Sequence, residues 1–252
     1  RGLVRSAREF HADAVLVDSG VTHYFMMELF RHAGAELIVV LHNTLWPEGH
    51  PPRRAIDRVV WPLNARFFRE VPVAVLGVSP TCLRQVRELT GGATRAALLD
   101  VRAQFRREYF AGISPTPPWT RRPFRILFVG RITREKGVFD ILEMARRVEA
   151  VCPGEVRWEL CGGGPDLEAL ARARDDLGLG EVVILHGWTS PGEQLEIYGR
   201  NHACIVPTRS EFAEGLPMTA AEAVLAGRPV ITCAVVPALE LLRPACLEAR
   251  TD

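Results

Sequence analysis

The chain has 252 residues, of which 48% are hydrophobic and 24% charged, and a formal net charge of +1. These values describe a folded globular protein long enough for two cores, and they exclude a disordered or fibrous chain. No apolar run is long enough to span a bilayer, and no repeat, heptad pattern or low-complexity segment is visible.

Residues 14–17 read as a short buried strand that closes on Asp18-Ser19-Gly20, and residues 21–33 read as a helix. A second strand over 37–41 ends in His42-Asn43-Thr44. A helix follows over 55–69, then a strand over 73–78. Ser79-Pro80 predicts the next helix start, with Ser79 as cap and Pro80 in the first helical position. Residues 101–122 lack periodicity and hold Pro115, Pro117 and Pro118, as an interdomain connection would. The second half alternates again. Strands are expected over 124–129, 156–161, 182–186, 203–206 and 229–233, and helices over 138–150, 165–177, 191–199 and 218–226. Strands separated by helices imply parallel sheets. Continuous Val/Ile/Leu runs imply that both sheet faces are covered.

Charge divides unevenly. Residues 1–122 carry 17 arginines against 11 acids, whereas residues 123–252 carry 19 acids against 13 arginines and one lysine. A basic first half suits an anionic membrane surface or an acidic acceptor. The six cysteines form no metal-ligand spacing; Cys161, Cys204 and Cys233 fall in or beside strand-like runs and read as core residues in a reducing compartment.

Lys136 is the single lysine among 31 basic residues, within Gly130-Arg131-Ile132-Thr133-Arg134-Glu135-Lys136-Gly137. Arg131 and Lys136 follow a buried strand and precede a helix. Ligands of open α/β sheets bind at such loops, and free N–H groups at the helix start favour anions, so the pair suits a diphosphate. Gly162-Gly163-Gly164-Pro165 also joins a strand to a helix. Leu167 stands where a dinucleotide fingerprint needs its third glycine, so the segment reads as a tight turn beside a nucleotide. Further on, Glu214-Gly215-Leu216-Pro217 opens a helix that carries Glu222, seven residues intervening between the two glutamates, and the helix gives way to Gly227-Arg228-Pro229-Val230. Glu211 is an extra acid upstream of Glu214.

These three elements, in this order, resemble the GT-B glycosyltransferases of the large retaining family 4, the glycosyltransferase group 1 type; the likeness covers residues 123–240. The resemblance implies an α/β fold of two Rossmann-like parallel-sheet domains. The domains are expected as a partial amino-terminal, acceptor-side unit over 1–110, a linker over 111–122 and a nucleotide-sugar-binding unit over 123–252. The opening βα units of the first domain and the last crossing helix of the second are not found in the sequence, so the first domain is expected to be incomplete and the chain a poor transferase by itself.

By the same resemblance, Arg131 and Lys136 hold the donor diphosphate. Glu222 accepts from the ribose hydroxyls. Glu214 stands near the donor sugar, with Gly215 and Leu216 bringing main-chain amides against it. Gly163, and Gly187-Trp188 after a further strand, border the nucleobase, and His42 faces the donor sugar. The catalytic set is therefore expected to be Arg131, Lys136, Glu214 and His42. No Asp-x-Asp occurs in the chain, and neither a metal nor a cofactor beyond the nucleotide-sugar co-substrate is expected. The implied reaction is hexosyl transfer to a hydroxyl with retention. A sugar-nucleotide epimerase and a non-catalytic nucleotide-sugar-binding scaffold are the alternatives. Expected partners are the donor and a sugar, lipid-linked or small-molecule acceptor, but no nucleic acid. The expected location is cytoplasmic, with peripheral contact at the membrane inner face.

Overall fold

The computed structural model describes residues 2–18, 23–53, 55–101, 107–233, 236, 237, 242 and 246–248. By contact the chain divides into two units, Arg1–Ala103 with Ala213–Leu216, and Gln104–Phe212 with Pro217–Asp252.

The first unit opens with α1 (Gly2–Glu9) and β1 (Ala14–Asp18). A 3-10 helix over Tyr24–Ala33 leads to β2 (Glu36–Leu41). Then come α2 (Asp57–Glu70), β3 (Ala74–Gly77), α3 (Pro80–Thr90) and β4 (Ala97–Asp100). All four strands are parallel and lie in the order β1-β2-β3-β4. Val39 and Val75 are paired across β2 and β3, and both are fully buried. They meet Phe67 and Phe68 from α2 and Leu83 and Val86 from α3 in one core. Each such side chain contributes roughly 1.5–3 kcal/mol by leaving water. Both faces of the sheet are not evenly covered, however. On β1, Val17 is buried whereas Leu16 is 64% exposed.

Three differences from the sequence reading lie here, the first being α1 (Gly2–Glu9), which was not expected. The helix expected over 21–33 is a 3-10 helix from Tyr24, with residues 21 and 22 outside the described residues. Its core contacts fit this: Tyr24, Met27, Phe30 and Ala33 pack on the core at every third residue, the period of the tighter helix, with Phe25 beside them. β4 was not expected. Its sequence, Ala-Leu-Leu-Asp, has no β-branched residue, and Leu99 remains exposed.

The second unit holds α4 (Arg107–Phe110), β5 (Phe124–Val129), a short 3-10 turn (Arg134–Lys136), α5 (Val138–Val151), β6 (Val156–Cys161), α6 (Leu167–Asp176), β7 (Val183–Gly187), α7 (Pro191–Arg200), β8 (Ala203–Val206), α8 (Met218–Leu225), β9 (Val230–Thr232) and β10 (Cys246–Glu248). α4 lies in the stretch expected to be irregular. The strands are parallel, in the order β10-β9-β8-β5-β6-β7. β8 is buried at every position, and the last four residues of β6 are buried too, as continuous apolar strands require. Buried Arg228 ties the start of this unit down. It donates to the carbonyls of Ser114, Tyr198 and Gly199 and to the Thr116 hydroxyl. No helix among the described residues is long and apolar enough to cross a membrane.

Candidate functional site

The strand order of the second sheet reverses at β5. β6 and β7 extend it to one side, while β8, β9 and β10 extend it to the other. At such a reversal the loops at the carboxyl ends of the two central strands part, and ligands bind in the crevice. Here those are the loop after β5, which carries Arg131 and Lys136, and the loop after β8, which carries Glu211 and Glu214.

The two loops touch. A Cβ on Gly137 would strike the carbonyl oxygen of Pro207, and Gly137 has φ +73, so only glycine fits. The Arg209 N–H donates to the Glu135 carbonyl at 2.9 Å, and the Lys136 ammonium lies 4.9 Å from the centre of the Phe212 ring. The 3-10 turn is held from below by Asp166, whose carboxylate accepts from the Arg134 N–H at 2.9 Å.

Arg131 lines a cleft of about 530 Å3 with Gly163, Trp188, Cys161, Thr189 and Gln194. The triple glycine gives this cleft its floor. Side chains at 162 or 164 would collide with the carbonyls of Gly130 and Ile132, and one at 163 would meet the Trp188 indole nitrogen. Trp188 is 87% exposed. A large apolar ring left in water beside a cationic side chain is an open stacking surface. Burial pushes the Cys161 thiol up to about 12, which makes it part of an inert wall.

Beneath Trp188 lies a network that sequence reasoning missed. Glu159, in the middle of β6, is 1% exposed. It accepts from Arg125 of β5 at 2.9 Å, from the Arg200 Nε of α7 at 3.1 Å, and lies 2.8 Å from the His186 Nε2 of β7. Burial raises the Glu159 carboxyl, but the hydrogen bonds from Arg200, His186 and Arg125 outweigh it and hold it down at about 2. One carboxylate thus ties three strands and α7 together just ahead of Gly187-Trp188. The readable signal was an acid inside a buried strand, Trp158-Glu159-Leu160.

The glutamates part company in the structure. Glu211 is exposed and pairs with Arg209 at 3.6 Å, whereas Glu214 is buried. Glu222 lies a turn inside α8, as expected, and accepts from the Tyr198 hydroxyl at 3.4 Å. Burial raises its carboxyl and the Tyr198 bond lowers it; the net direction is up. Tyr198 was also missed. It stands one helical turn beyond Gln194 on α7, so a single face of that helix serves both Trp188's cleft and Glu222. His42, exposed at the end of β2, lies 3.2 Å from Asp18 at the end of β1. Within its unit, Gly215 packs on the His42 main chain so closely that a Cβ would strike the His42 carbonyl. Leu216 next to it is half-buried.

The profile of the glycosyl transferases group 1 family matches residues 114–245, just over half of the chain. The chain belongs to that family. Lipopolysaccharide 1,6-galactosyltransferase of Salmonella typhimurium is 34% identical over 119 residues, which are 46% of this chain and 32% of that protein. Two solved structures share the fold. Anabaena HepE in complex with UDP superposes with a TM-score of 0.70 at 17% identity, over 98% of this chain and 67% of its own. Sucrose-phosphate synthase from Thermosynechococcus elongatus gives 0.69 at 16%, over 99% and 65%. The chain therefore spans about a third of its curated relative and about two thirds of these structures. The group 1 match covers every strand of the second sheet except the last, β10 (Cys246–Glu248). His42 lies outside it.

Proposed function

We propose that this chain is the donor-binding part of a glycosyltransferase. It moves a hexosyl group from a nucleoside-diphosphate sugar to an acceptor hydroxyl with retention of configuration. The observation that carries this reading is the cleft at the carboxyl ends of β5, β6 and β7, which Arg131, Gly163 and the exposed Trp188 line together. A cation and an aromatic face are the two groups that a nucleoside diphosphate needs. A solved neighbour holds UDP, which makes UDP the first nucleotide to test.

In this reading Arg131 and Lys136 take the diphosphate. As the bond from the anomeric carbon to phosphate breaks, negative charge grows on the leaving oxygen, and fixed cations stabilise it more in the transition state than before. The acceptor oxygen bonds to the anomeric carbon on the same face, and its proton passes to the departing phosphate. Glu222 accepts from the ribose diol, which one carboxylate can do twice. Glu214 and the main chain of Gly215 and Leu216 serve the sugar, as does His42. Gly187 and Trp188 serve the base. No metal takes part.

The enzyme works on the cytoplasmic side, against the inner membrane face. Val59 and Leu63 of α2, with Ile56 just before it, form an exposed apolar stripe near exposed Arg66 and Arg69, the pattern of a helix that lies on anionic lipid. Co-sedimentation with anionic but not neutral vesicles is the expected outcome.

The decisive assay incubates the protein with UDP-galactose or UDP-glucose and a panel of sugar acceptors. A glycoside that keeps the donor's anomeric configuration supports the reading. An epimerised nucleotide-sugar, or tight binding with no turnover of any donor, would contradict it.

A further inference from the structure

A second cleft lies in the first unit, on the outer side of α2 and α3. It encloses about 480 Å3, and its lining includes Trp46, Pro52, Arg53, Asp57, Arg58 and Trp61. Trp46 stands on the loop after β2 and Trp61 one turn into α2.

The loop that carries Trp46 is fixed from below. Gln85 of α3 is 1% exposed. Its amide oxygen accepts from the N–H groups of Leu45 and Trp46 at 2.7 and 3.2 Å, and its amide nitrogen donates to the Trp46 carbonyl at 3.0 Å. Arg84 adds a 3.2 Å contact to Glu48. A buried amide that spends three bonds on one loop sets where the indole stands. The two indoles meet at 86° with ring centres 5.5 Å apart. Edge-to-face contact is favourable in itself, and it leaves a right-angled corner of aromatic surface. Both rings are half-buried, so part of that corner faces solvent.

The charges complete the corner. Arg53 and Arg58 are exposed, and neither has an ion-pair partner among the described residues. Asp57 adds a carboxylate that accepts from hydroxyls. We propose that this cleft binds an anionic saccharide: the apolar C–H face of a pyranose lies on an indole, its carboxylate or phosphate takes the guanidinium of Arg58, and its hydroxyls reach Asp57. Indoles alone would suit an apolar ligand and arginines alone any anion. The two together, with a hydrogen-bond acceptor, fit a ring that is apolar on one face and charged at its edge. A flat bilayer fills the convex stripe of α2, not a concave corner. The site shares no lining residue with the donor cleft and rests on none of the assignments made there.

The test is calorimetry of the 252-residue chain with a glucuronate-bearing tetrasaccharide, and with a neutral tetrasaccharide of N-acetylglucosamine of equal length. The charged probe is expected to bind at least tenfold more tightly than the neutral one, and to lose that advantage in Arg58→Gln and in Trp61→Ala. Because Trp61→Ala can disturb α2, the exposed Arg58→Gln decides the matter, with an unchanged melting temperature as its folding control. Equal binding of the two probes would overturn the proposal, as would no binding of the charged one or full retention in Arg58→Gln. Displacement of the charged probe by UDP would move it to the donor cleft, and displacement by saccharide-free anionic vesicles would make this face a lipid site; either result also overturns it.

Discussion

The two sheets follow one pairing rule and differ in order. In the first, each new strand is added on the same side, from β1 to β4. In the second, the chain begins in the middle with β5, moves outward to β7 and returns to the other side with β8. Successive loops of a sheet that grows one way cross to the same side, and no crevice opens among them. A reversal separates two loops. The residues follow that difference. Arg131 and Lys136 follow β5, the strand at the reversal, and Glu211 follows β8 across it, whereas in the first unit His42 and Asp18 pair at neighbouring strand ends. Topology decides where chemistry is placed, and the side chains decide what it is.

The largest expected effect tests the reversal directly. Arg131→Ala and Lys136→Ala are each expected to lower glycosyl transfer by roughly a hundredfold or more, as loss of transition-state charge stabilisation does. His42→Ala, at the unreversed sheet, is expected to cost less than either. A His42→Ala variant that loses more activity than Lys136→Ala would break the comparison.

Next comes the carboxylate under the cleft. Glu159→Gln leaves Arg125 and Arg200 without their anion, and breaking a buried pair costs about 3–5 kcal/mol. The Glu159 carboxyl is depressed in the folded state, so its contribution is whole above the ordinary glutamate value of 4.5 and falls away as the pH drops through about 2. Melting curves of the wild type and of Glu159→Gln should therefore lie far apart at neutral pH and draw together in acid. A gap that does not narrow with falling pH would show that Glu159 acts by packing alone.

Glu222 works in the opposite sense. Burial raises its carboxyl, so the charge is held at some cost to the fold, and stability from this residue grows as pH falls. Glu222→Gln is expected to leave the melting temperature equal or higher while weakening UDP by about tenfold, the size of a lost hydrogen bond to a charged group. Glu214→Gln should weaken the nucleotide-sugar more than UDP, and Glu211→Gln should alter neither. A sugar-specific loss in Glu211→Gln would move the site by one loop register.

The smallest effect is expected at the base. Trp188→Ala should weaken nucleotide binding by about 1 kcal/mol, roughly fivefold, the lower end of the worth of one base–aromatic stack. Gly163→Ala should do less, because the indole that meets the new methyl is exposed and can move.

Much of the second unit was legible because its strands are continuous apolar runs and its loops carry residue types that few other roles demand. Lys136 stood out against an arginine-rich background, and the helices after Gly137 and Pro217 begin where the sequence placed them. Less could be read in the first unit. Residues 24–33 follow a period of three that resembles an ordinary helix when only apolar content is counted, and Ala97–Asp100 lacks the β-branched residues that mark a strand. Within the site, the charges that hold loops in place were the hardest to read. Arg125, Glu159, His186 and Arg200 are scattered over 76 positions, and only the sheet register brings them to one point.

Isothermal calorimetry with UDP tests the central claim most directly, because it isolates diphosphate binding at the strand reversal from every question of acceptor and turnover. The 252-residue chain is predicted to bind UDP, and Arg131→Ala and Lys136→Ala to bind it at least tenfold more weakly, with melting temperatures unchanged. The same UDP affinity in all three proteins, or none in the wild type, would contradict the account.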